Sequence, residues 1–217
     1  VIGDKLIIEQ HHTDRAAEIC ALLASQIKGQ KRFTITVAGE SGAGKSELAY
    51  EIHRLLNEQG IKADVLQQDD YFVFPPKTNH EMRRRNLDQV GPYEVKLDFL
   101  DSNLRSFKRG ESPIYKPLVI YDEDRITTEE KSIDQLAVLI AEGTYTSLLR
   151  FADFRVFIAR DYRQTLESRR RRARDRWEPF VEAVLEREHQ IISRHRKLAD
   201  VVVSAGFDRT QRQDRIA

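Results

Sequence analysis

Eight consecutive residues constrain this chain more than any others: Gly39-Glu40-Ser41-Gly42-Ala43-Gly44-Lys45-Ser46, a complete G-x-x-x-x-G-K-[ST] phosphate loop. Residues 33–38 before it read as a buried strand. Residues 46–58 after it read as a helix with Leu48, Ala49, Ile52, Leu55 and Leu56 on one face. The motif therefore falls between strand and helix, as its mechanics require. Glycines let the main chain wrap closely around an anion, because no Cβ obstructs the turn. Consecutive amides then point inward as a nest, and the following helix adds its positive dipole end. Lys45 would reach the β- and γ-phosphates, and the Ser46 hydroxyl would ligate Mg²⁺. From average residue usage, a chain of this length matches the pattern by accident on the order of 1% of the time. The candidate nucleotide-binding set runs from Gly39 through Glu47.

At 217 residues the chain has the length of a single domain. A net charge of +1 supplies no global field for nucleic acid, so no nucleic-acid partner is expected. With one cysteine, Cys20, neither a disulfide framework nor a Cys-based zinc site can form within the chain. No apolar run approaches membrane-spanning length and no signal peptide is visible, so the expectation is a cytoplasmic enzyme without a membrane partner. The chain opens at Val1 without Met and ends in a polar tail, as a trimmed sequence would.

Along the chain, residues 1–10 suggest an edge strand, and Thr13 a cap for a helix to about Lys28. A second strand is expected over 61–66. Residues 73–93, with Phe74-Pro75-Pro76 and Gly91-Pro92, read as irregular. A helix is predicted over 94–108, a small hairpin over 113–131, and core strands over 136–141 and 154–159. Asp161 opens a long arginine-rich helix, Pro179 starts another to about Leu198, and 201–203 is a last short strand. Strands alternating with helices predict an α/β fold: a P-loop NTPase-type parallel sheet flanked by helices on both faces. Residues 73–131 form an acceptor-side insertion with the hairpin, and 161–198 a lid region and the helix after it. Ligands bind such sheets at the C-terminal ends of the strands. That rule selects the phosphate loop, Asp69-Asp70 and Glu142.

A carboxylate at 69 or 70 could take a proton from an acceptor hydroxyl or hold Mg²⁺; turn chemistry is the bland alternative. Glu142 reads as a metal-side carboxylate, and Gly143 beside it suggests close approach of another group. Arg169 to Arg172, Arg174 and Arg176 spread around a helix, so most are solvated or paired, while one or two could close over a triphosphate. Tyr71, Phe72, Phe74, Tyr93, Tyr115 and Tyr121 could line a substrate pocket or simply pack. His80, His189 and His195 have no metal-site spacing.

With Gln68-Asp69-Asp70-Tyr71-Phe72, Glu142-Gly143 and Ala199-Asp200-Val201-Val202-Val203 placed in order after the phosphate loop, the chain resembles the uridine kinase and phosphoribulokinase family of P-loop kinases. The likeness runs over about residues 30–205. It implies a kinase that moves the γ-phosphoryl of ATP, with Mg²⁺, to a hydroxyl of a nucleoside, sugar phosphate or related metabolite. It implies Asp69 as base, with Lys45 on the transferring phosphates, Glu142 with Ser46 and Asp69 on the metal side, and lid arginines at Arg170, Arg171 and Arg174. Asn86-Leu87-Asp88 is similar to an acceptor segment in which Asp88 would hold sugar hydroxyls. Asp70, Tyr71, Arg85 and Tyr115 complete the expected acceptor side. Members are often oligomers, so a homo-oligomer is compatible.

Three stretches depart from the family pattern. Gln89-Val90-Gly91 replaces His-Pro-Asp, Lys116 replaces an acid after Tyr115, and Arg176-Trp177-Glu178-Pro179 replaces Glu-Arg-Gly-Arg. Arginines 83–85 and Lys116 would suit an acceptor that is already anionic, or be solvated loop charges. A regulatory nucleotide switch lacks support, since no Asn-Lys-x-Asp motif is present. A non-catalytic nucleotide-binding protein is the alternative to a kinase.

Overall fold

The computed structural model describes residues 6–166 and 178–213. The phosphate loop joins strand β1 (Phe33–Gly39) to helix α2 (Lys45–Glu58). Around this pair stand α1 (Gln10–Lys28), β2 (Ala63–Gln67), α3 (Pro76–Arg85), α4 (Leu97–Arg109), β3 (Ile114–Ile120), β4 (Arg125–Lys131) and β5 (Val138–Glu142). The chain continues through β6 (Phe154–Ile158), α5 (Pro179–Ile192), β7 (Val201–Val203) and β8 (Thr210–Arg212). The main sheet has six strands in the order β2-β5-β1-β6-β7-β8, and β3 and β4 pair as a separate antiparallel hairpin. Every main-sheet pairing is parallel except β7 with β8.

β1 is buried at all seven positions, as a central strand covered on both faces should be. Alternation assigns its neighbour β5 to two cores: Val138 and Ile140 pack with α1 and α2, while Leu139 and Ala141 pack with Leu100, Leu104 and Phe107 of α4. Helix α1 follows from its apolar stripe, Ala16, Ile19, Cys20, Leu23 and Ile27. Among the described residues no helix is long and apolar enough to cross a membrane.

Several boundaries correct the sequence expectations. Residues 6–9 carry no strand, and α1 starts at Gln10, where His12 Nδ1 accepts from the Glu9 amide at 3.0 Å. Thr13 lies inside α1 and donates to Glu51 Oε2 at 2.7 Å rather than capping the helix. Part of the stretch expected to be irregular is α3. Pro76 occupies its first turn, where a proline starts a helix rather than breaking it. The free amides of Lys77 and Thr78 donate to the carboxylate of Asp124, in the β3–β4 turn, at 2.6 and 3.1 Å. A cap delivered from that far along the chain leaves no local signal. The expected helix after Pro179 is α-helical only to Ile192 and tightens to a 3₁₀ turn over Ser193–Leu198. β8 was not anticipated. The hairpin appears where it was predicted.

Candidate active site

Three strand ends meet at the phosphate loop. Gly44 takes φ +97°, and a Cβ there would lie 3.0 Å from His12 Nε2 and 3.1 Å from Phe207, so α1 and the segment after β7 close over the loop's outer side. Lys45 Nζ donates to the Glu40 carbonyl at 3.0 Å. The Glu40 side chain is buried, accepts from the Tyr162 amide at 2.7 Å and contacts His189 Nδ1 at 2.6 Å. Burial pushes its carboxyl upward, opposed by His189. Glu47, one turn into α2, is buried and accepts from the Ile7 amide.

Glu142 ends β5 beside Val37 of β1 and Gln67 of β2. Ser46 Oγ donates to its Oε1 at 3.1 Å, which brings two residues 96 positions apart into contact as the sequence suggested. Burial pushes the Glu142 carboxyl up to about 7; the charge of Asp69 adds to the push, and Lys45 and the Ser46 bond oppose it. Gly143 takes φ +153°, and a Cβ there would lie 2.2 Å from Gln68 Cβ. Gln68 Oε1 accepts from the Tyr145 amide at 2.7 Å. The 3₁₀ turn Gln68–Tyr71, which carries Asp69, is thus locked onto the chain that carries Glu142.

The remaining expected acceptor residues separate. Asp69 is exposed and borders a cavity of about 130 Å³ with Phe72, Phe74, Pro76, Asn79, Arg83, Val119 and Tyr121. Asp70 is instead buried. It accepts from Lys116 Nζ at 2.8 Å and from the Val119 amide at 2.9 Å, so it docks the hairpin. Tyr71 is fully buried, its hydroxyl accepting from Asn103. Tyr115 is 54% exposed on β3, Arg85 is exposed, and Asp88 points into solvent near Arg187 at 3.5 Å; none of these three borders the Asp69 cavity. Arg170, Arg171 and Arg174 lie outside the described residues.

Arg83, Asn79 and Glu94 were not singled out individually from the sequence. Arg83 Nε and Nη2 grip Glu94 at 2.5 and 2.9 Å, and Nη2 also reaches Glu188 at 3.1 Å. The arginine run 83–85 was the only signal, and its local pattern does not say which member faces inward.

The arrangement suits a triphosphate and a hard dication. The left-handed glycine at 44 shapes a backbone cradle with Lys45 beside it. A hydroxyl bonded to a buried carboxylate, with a second acid near enough to raise it, is the oxygen-donor chemistry that Mg²⁺ takes when phosphates complete its shell. Among the described residues no cluster of three His, Cys, Asp or Glu forms a self-sufficient metal site.

The family model described as "Phosphoribulokinase / Uridine kinase family" matches residues 34–204. The chain is 26% identical over 191 residues to uridine kinase of Leuconostoc citreum, covering 82% of this chain and 90% of that one. It is 29% identical over 188 residues to the bifunctional alpha-galactosidase/sucrose kinase AgaSK of Mediterraneibacter gnavus, covering 80% of this chain but 20% of that protein. The structure of a possible uridine kinase from Bacillus stearothermophilus superposes with a TM-score of 0.59 at 23% identity, covering 87% of this chain and 97% of that one.

Proposed function

This chain belongs to the phosphoribulokinase/uridine kinase family, a phosphotransferase family with alcohol acceptors, and from that premise we propose that it is an ATP- and Mg²⁺-dependent kinase acting on a hydroxyl of a small metabolite. In this reading the amides of residues 39–46 and Lys45 hold the β- and γ-phosphates. Ser46 and Glu142 hold the metal, which when bound draws charge from the transferring phosphoryl group. Asp69, which has no hydrogen-bond or ion-pair partner among the described residues, takes the proton of the acceptor hydroxyl as its oxygen bonds to the γ-phosphorus and the bond to the β-phosphate oxygen breaks, leaving ADP.

The observation that carries the reading is the convergence of Ser46, Glu142 and Asp69 beside one glycine-lined loop. A nucleotide-binding protein without catalysis would not need the free carboxylate on the cavity side. The test is Asp69→Asn: ATP affinity should stay within a few-fold, while acceptor-dependent ADP formation falls by about 10²–10⁴. Normal turnover in that variant would remove Asp69 as base.

A further inference from the structure

The charges around the Asp69 cavity bear on the acceptor. Arg83 is the only cation lining that cavity among the described residues. Its guanidinium is already committed to two carboxylates, Glu94 through a fork and Glu188 through a third bond. Glu188 is buried, which raises its pKa, while Arg83 opposes the rise. Asp69 borders the same cavity, so three carboxylates, those of Asp69, Glu94 and Glu188, stand around this one guanidinium. Of the other cations that would suit an anionic acceptor, exposed Arg85 does not border the cavity, and two are engaged elsewhere. Arg84 pairs with Glu178, and buried Lys116 pairs with Asp70 and with Glu129 at 2.9 Å.

What the cavity does offer is matched to hydroxyls. Arg83 Nη1 makes no bond among the described residues and keeps two N–H donors. Asn79 Nδ2 donates to Glu94 Oε1 at 3.3 Å, which leaves its carbonyl oxygen to accept. Phe72, Phe74, Pro76 and Val119 form an apolar wall suited to the C–H face of a ring. The volume, about 130 Å³, lies below the ~300–1,000 Å³ of pockets that hold drug-sized ligands, which favours a single ring.

We propose that the acceptor is an uncharged polyhydroxyl compound seated by one sugar-like ring in this cavity, and that phosphorylated or carboxylated acceptors are excluded by its charge. This rests on the kinase reading above, with Asp69 marking the acceptor side. It decides against the anionic acceptor that arginines 83–85 and Lys116 left open.

The experiment pairs each neutral acceptor with its anionic counterpart: monosaccharides and nucleosides against their phosphate monoesters, and polyols against hydroxy acids. ADP formation is read for each, and calorimetric binding is read alongside with a non-hydrolysable ATP analogue and Mg²⁺ present. At least one neutral compound should exceed its charged partner in kcat/KM by roughly tenfold or more. A charged partner that is turned over equally well or better overturns the inference and leaves the kinase reading standing. If nothing is turned over, the kinase reading fails and binding decides the inference. Neutral compounds binding more tightly than their phosphates would sustain it; tighter phosphate binding, or no binding by either, would end it.

Discussion

Gly143 joins the two halves of the proposed chemistry. A methyl at this position would fall 2.2 Å from Gln68 Cβ, closer than packed carbons approach, and the strained φ of +153° adds to the cost. Gly143→Ala should lower stability by about 2 kcal/mol or more, as overpacking of a closed site does. It should also reduce kcat more than ATP affinity, because it displaces the turn that carries Asp69. Denaturant melts with nucleotide titration check both halves. The sequence indicated that something approaches this glycine, but the partner, Gln68, lies on another strand end and had no local mark. The same limit affected the acid pair. Asp69 and Asp70 are indistinguishable in a local reading; Lys116, 46 positions away, is what takes Asp70 out of the cavity.

Among the elements, the β3–β4 hairpin is held to the turn after β2 by a buried ion pair together with the hydrogen bond from the Val119 amide to Asp70. Lys116 sits between Asp70 and Glu129 with 5% of its side chain exposed. Lys116→Met would take the cation away from the buried Asp70 carboxylate while the Val119 amide still donates to it. The expected loss is roughly 3 kcal/mol, the scale for stranding one partner of a buried pair. ATP binding should be unchanged, because the ion pairs of Lys116 run to Asp70 and Glu129, neither of them in the phosphate loop. Urea melts and calorimetry check this. The hairpin was legible because its alternation and flanking turns are local. Helix α3 was not, because the Pro-Pro step reads as a breaker until Asp124 is seen satisfying its first amides. With α3 unseen, the inward face of arginines 83–85 was unseen too.

For the whole molecule, the α/β class followed from alternating strand and helix patterns, and the convergence of three strand ends followed from the rule for parallel sheets. The covering of the phosphate loop from outside did not. His12 is buried against Gly44 and Phe207, and burial, with His11 beside it, holds its imidazole down to about 4. A base whose folded pKa lies below its unfolded value contributes stability that is full above about 6.5 and is lost as pH falls from there toward 4. Glu40, Glu142 and Glu188, all raised by burial, work in the opposite direction. The difference between the wild type and His12→Gln therefore isolates the histidine. Melts at pH 7.5 and 5 should show the wild type losing ground to the variant on acidification by up to about 2 kcal/mol.

The separation between the proposed base and the proposed metal-side acid is written in main chain: Gln67 pairs with Glu142 in the β2–β5 ladder, and Gly143 abuts Gln68. The wall of the proposed acceptor cavity, by contrast, is drawn from side chains at Phe72, Phe74, Asn79, Arg83, Val119 and Tyr121, all but Phe72 between residues 73 and 131. Tools and socket are thus separate parts. Recarving the socket to admit a different guest asks for edits in that one stretch, and the bond-making hardware underneath can stay as it is.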